Sequence, residues 1–80
     1  MNAHQLYNRY DLITAVLKTT RQSAYFSVSQ RTCLHQHRAA VMHALDDINA
    51  GDGWESATPQ YQLPAHLEQI VLRARMDFKI

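Results

Sequence analysis

Between Ser27 and Gly51 the chain reads SVSQRTCLHQHRAAVMHALDDINAG, placing Cys33, Leu34, His37, Val41, Ala44, Leu45 and Ile48 at the three- and four-residue spacing of one helix face. Ser27 and Gln30 stand in the S-x-x-Q relation of a capping box, which predicts a helix start within a residue or two of Ser27. Ala50-Gly51 supplies the stop, since glycine accepts the left-handed conformation that closes a helix. A helix over 28–50 is the longest element in a chain of 80 residues. So short a chain closes one hydrophobic core at most, and everything else must cover the apolar face of this helix.

Two further segments have the pattern to do so. Leu6, Tyr10, Ile13 and Leu17, with Val16 beside them, predict a helix over 3–18, opened by Asn2 and Gln5 and closed near the poor helix formers Thr19-Thr20. Pro64 suits the first turn of a last helix over 64–78, with Leu67, Ile70, Val71, Ala74 and Phe78 inward and Leu72 and Met76 on another side. Residues 19–28 have no helical stripe. Residues 51–63, GDGWESATPQYQL, form a loop of about 13 residues, long enough to be either functional or packed by its own Trp54 and Tyr61. The expected fold is all-α: a small three-helix bundle over 1–80, self-contained or with its core completed in a homodimer, with a long aromatic-containing loop before the last helix.

The net charge of +1 is unevenly spread. Arg9, Lys18, Arg21, Arg31 and Arg38 face the single acid Asp11 in residues 1–45, whereas acids outnumber bases in residues 46–80. The basic half suits nucleic acid or an acidic protein surface. One cysteine, Cys33, excludes an internal disulfide, and no stretch has a signal-peptide pattern, so a cytoplasmic location is expected. Apolar runs are too short for a membrane span.

Catalytic and metal readings find little. Cys33 and His37 are four apart, as a zinc half-site requires, but no second half is specified, and His37 reads better as a hydrogen-bonded core or rim residue. Cys33 falls on the apolar face, with no orienting group for a nucleophile. Asp46 and Asp47 are adjacent and diverge on a helix. DINAGDG puts Gly51 and Asp52 at the wrong positions of a calcium loop, and no phosphate-binding or zinc-hydrolase motif occurs. The expectation is a non-enzymatic chain with no cofactor, no metal and no small-molecule substrate.

The segment TTRQSAYFSVSQRTCLHQH, residues 19–37, resembles a bacterial helix-turn-helix motif. The resemblance implies Ser23 as the small contact in the first helix, Phe26 and Val28 sealing the turn, and Cys33 as the buried residue of a recognition helix. It also implies Ser29, Gln30, Arg31, His35 and Arg38 facing DNA. Arg31, His35 and Arg38 form one stripe at spacings of four and three. Ser27 stands where such motifs carry glycine, and Gln22 and His37 stand at their apolar positions.

The competing reading is a protein-interaction factor that contacts its partner through Trp54, Tyr61, Leu72 and Met76, aromatic and methionine residues being enriched at interfaces. Small size and missing catalytic equipment suit an accessory or inhibitor protein of a phage or other mobile element acting on a host complex. This is the favoured expectation, with the dimeric DNA-binding regulator as its alternative.

Overall fold

A computed structural model describes residues 1–18, 25–50 and 56–78, excepting the side chain of Phe78. The described residues form three helices, α1 (Ala3–Lys18), α2 (Val28–Asn49) and α3 (Ala65–Phe78). The protein is all-α, and among the described residues the nearest thing to a sheet is one antiparallel bridge between Asn2 and Ser56. Trp54, Ser23 and Gln22, named above, lie outside the described residues.

Both expected capping boxes form. The Asn2 side chain accepts from the Gln5 N–H at 2.8 Å while the Asn2 N–H donates to Gln5 Oε1 at 2.9 Å. Ser27, with extended ψ of 170°, accepts from the Gln30 N–H at 3.2 Å and donates its own N–H to Gln30 Oε1 at 2.9 Å. Each box satisfies two backbone donors that no helix carbonyl reaches. Ser27→Ala should therefore lower the unfolding free energy by about 1 kcal/mol, measured by urea titration. At the other end Ala50 keeps helical angles and donates its N–H to Asp46 O at 2.9 Å. Pro64 sits one place earlier than the helix proper, as its cap, and its carbonyl accepts from the Glu68 N–H at 3.0 Å.

α2 is 22 residues long, about 33 Å at 1.5 Å per residue, and so runs most of the 41 Å length of the molecule. The core along it divides into two apolar clusters. One joins Ile13 and Val16 of α1, Leu34 of α2, Leu67, Val71 and Ala74 of α3, and Phe26. The other joins Leu6 of α1 with Val41, Ala44 and Leu45 of α2. Early α1 thus meets late α2, and the two helices form an antiparallel hairpin. α3 lies over only one end of it, because its buried residues all belong to the first cluster. Every residue of both clusters is at most 3% exposed in the single chain.

The other end is approached by residues 56–63, an irregular strap that bends at Gln60 and Tyr61. The Met1 ammonium donates to Ala57 O at 3.0 Å, the Ala57 N–H donates to Met1 O at 2.9 Å, and Ala57 packs on the second cluster. Pro59 is buried, and Leu63 packs on the first cluster just before α3 begins. The part of the expected loop that is described is therefore a backbone tie from the N-terminus to α3.

Candidate functional site

Between the two apolar clusters lies a polar layer, built from one charged or polar residue on each helix. Arg9 falls on α1 between Leu6 and Ile13, and His37 falls on α2 between Leu34 and Val41, so both continue the buried stripes of their helices. Arg9 donates Nε–H to His37 Nε2 at 2.9 Å and Nη1–H to Glu68 Oε1 at 2.7 Å, with a second, bidentate contact from Nη2 to Glu68 Oε2. On its other side His37 Nδ1 lies 2.8 Å from the carbonyl of Tyr61 in the strap. One imidazole and one guanidinium thereby join all three helices and the strap.

These partners dictate the state of the ring. A carbonyl offers only lone pairs, so Nδ1 must carry the proton, and a guanidinium offers only donors, so Nε2 must be bare. His37 is neutral with its proton on Nδ1. Burial pushes its pKa below the ordinary 6.5, and the positive Arg9 pushes the same way, while the Tyr61 carbonyl and the Glu68 carboxylate pull it back in part. Because the folded pKa is the lower one, the unfolded chain takes up this proton first. The contribution to stability is complete above pH 6.5 and is lost as the pH falls from there through the folded pKa. Urea titrations at pH 7.5, 6 and 5 should accordingly give a declining unfolding free energy.

The Arg9–Glu68 pair is unequally buried, with side chains 14% and 38% exposed. Solvent reaches the carboxylate, so the pair contributes on the order of 1 kcal/mol despite its bidentate geometry. Its larger effect is on alignment. A shift of α1 by one turn would set a cation against Leu34 or Val41.

A second polar contact reinforces the hairpin. Arg38 donates from Nε to Thr14 Oγ1 at 2.8 Å and from Nη2 to the Tyr10 hydroxyl at 2.7 Å, with its guanidinium carbon 4.6 Å from the Tyr10 ring centre.

The residues singled out from the sequence fall into different surroundings. Arg38 turns back onto α1 rather than outward, Gln30 is engaged in its cap, and Arg31 is half-buried with its Nε lacking a partner. His35 alone of these four is exposed, so no continuous outward stripe joins them. Val28, expected to seal a turn, is instead 71% exposed, and Cys33 is half-buried. Tyr61 is half-buried; its carbonyl holds His37, and its hydroxyl is hydrogen-bonded with the Cys33 thiol, which together with burial pushes the phenol pKa up. Tyr61 thus straddles two successive turns of α2.

Leu72 and Met76 are 46% and 78% exposed. One turn apart, they lie across α3 from the buried Leu67, Val71 and Ala74, with the exposed Arg73 on one flank and the exposed Arg75 on the other. An open groove of about 660 Å³ lies elsewhere, between Ala39, Ala40, His43 and Asp47 of α2 and Thr58 and Tyr61 of the strap.

Among the described residues no three His, Cys, Asp or Glu side chains are grouped to hold a metal ion, and no helix is long and apolar enough to cross a membrane. No family model, no curated protein and no solved structure matches this chain.

Proposed function

We propose that this chain is a non-enzymatic protein-binding module that docks the outer face of α3 into an apolar groove with an acidic rim on a larger partner protein. The observation that carries this reading is the pair Leu72 and Met76, exposed at the centre of a helix face and bracketed by Arg73 and Arg75. Apolar anchors one turn apart suit the helix-in-groove mode of recognition, and methionine adapts its shape to an irregular groove. The flanking arginines select acidic surroundings and speed the encounter. A chain of this size, docking by one helix, suits an accessory or inhibitor protein of a phage or other mobile element that acts on a host complex.

Capture experiments with the immobilised chain in nuclease-treated lysates test the reading. One dominant protein should be retained, and Leu72→Asp or Met76→Asp should each reduce its retention at least about tenfold, as an anchor does, while the circular dichroism stays unchanged. Charge reversal at Arg73 and Arg75 should slow association and weaken its dependence on salt. Retention untouched by Leu72→Asp and Met76→Asp would contradict the proposal. So would a specific complex with duplex DNA that is lost on Arg31→Ala, the outcome the helix-turn-helix resemblance implies.

A further inference from the structure

We infer that the groove between α2 and the strap 56–63 is a peptide site, where an extended segment carrying a lysine or arginine pairs its main chain with Thr58. The site shares no residue with the outer face of α3 and stands independently of it. The strap reaches this groove with one edge used and one edge open. Ala57 donates its N–H to Met1 O at 2.9 Å and accepts from the Met1 ammonium at 3.0 Å, and Asn2 bridges antiparallel to Ser56. Successive residues of such a pair turn their backbone groups to opposite edges, so Thr58 turns its N–H and carbonyl away from Met1. Pro59 holds Thr58 to the extended conformation that this alternation needs. Among the described residues, no hydrogen-bond partner reaches either backbone group of Thr58. Thr58 lines the groove of about 660 Å³ against α2, and the open edge lies on that side.

The walls specify the occupant. Gln36, Ala40, His43 and Asp47 recur at spacings of four, three and four along α2, with Ala39 beside them. From Gln36 to Asp47 the helix advances about 16 Å, the length of roughly five residues of extended chain. Alanine at positions 39 and 40 leaves room for a main chain to approach α2 closely. The exposed amides of Gln36 and Gln60, one on each wall, both offer a donor and an acceptor, which is what peptide groups require.

Charge narrows the choice further. Asp47 supplies the single carboxylate of the lining, no lysine or arginine lines the groove, and Asp47 has no ion-pair partner among the described residues. A basic side chain is therefore selected and an acidic one disfavoured. Main-chain pairing along an open edge supplies the hold, as when a peptide adds a strand to a sheet.

Titration of the nitrogen-15-labelled full chain with the capped peptide acetyl-Val-Ala-Ala-Lys-Val-amide, up to about 5 mM, tests this through amide shifts. Saturable shifts should appear at Thr58, Gln60, Ala40 and His43. Glutamate in place of the peptide's lysine should weaken binding at least about fivefold, and methylation of its backbone nitrogens should do so at least as strongly. Thr58→Pro removes the N–H donor while keeping extended backbone, and should cost at least about fivefold in affinity. Ala39→Leu, at an exposed helix position, fills the groove and should cost as much with an unchanged circular dichroism. If Thr58→Pro does not fold, Ala39→Leu and the methylated peptide decide. The site is overturned by the absence of saturable shifts, by shifts outside the groove, or by equal binding of the lysine, glutamate and methylated peptides. Undiminished binding by Ala39→Leu overturns it too, as do groove shifts that follow protein concentration without peptide, which would seat a second copy there.

Discussion

Leu34→Ala should lower the unfolding free energy by about 3 kcal/mol, the mid-range for a fully buried leucine whose neighbours cannot close the space. Leu34 has no exposed surface and shares its cluster with residues from α1, from α3 and with Phe26, so the cavity opens where α1, α2 and α3 pack together through apolar side chains. For a chain this short each kcal/mol shifts Tm by roughly 4–8 °C, and the variant should melt roughly 12–24 °C below the parent, followed by circular dichroism. Leu72→Ala is the control. Its side chain lies on the far face of α3, and the change should stay within about 0.5 kcal/mol.

Arg9→Ala should cost about 2 kcal/mol, from a different cause. It deprives the buried Nε2 of His37 of its donor, and an unsatisfied buried acceptor costs roughly 1–3 kcal/mol. Glu68, being 38% exposed, recovers water and adds little. A double-mutant cycle with Glu68→Gln should show a coupling near 1 kcal/mol, because the two side chains act as a unit. Arg9→Ala also removes a positive charge that opposes protonation of His37, so the imidazole pKa should rise relative to the parent, measurable by nitrogen or proton NMR titration. A pKa that falls or stays fixed would mean that Arg9 does not face the ring in solution.

The helices and their starts were legible because each is specified locally. Asn2 with Gln5 and Ser27 with Gln30 announce starts through neighbours three residues apart, and the apolar stripes follow the helical period. The polar layer was harder to see, because its members are 28 and 59 residues apart in sequence. A signal did exist. Arg9 stands three residues after Leu6 and four before Ile13, and His37 three after Leu34 and four before Val41, so each is a polar residue in line with a buried stripe. Two such interruptions on adjacent helices call for a mutual partner. The eye-catching Cys33-to-His37 run hid this by suggesting a metal, when His37 meets an arginine donor on one side and a carbonyl on the other.

Arg38 misled for a related reason. Helical spacing puts it on a line with Arg31 and His35, but spacing gives a direction from the helix axis and not the reach of a long side chain. The Tyr10 ring and the Thr14 hydroxyl on α1 supply a face and an acceptor for the guanidinium, and it folds onto them. Leu72 and Met76 were legible as a separate side of α3 because Leu67, Val71 and Ala74 fill the inward one.

The most direct test of the docking proposal places a photo-reactive phenylalanine derivative at Leu72, at Met76 or at His35 and irradiates cells expressing the full chain. All three positions are exposed, but only the first two lie on the outer face of α3, while His35 belongs to the basic positions of α2. The account predicts one and the same protein adduct from positions 72 and 76 and none from position 35. An adduct from position 35 alone, or no adduct from either α3 position, would contradict it.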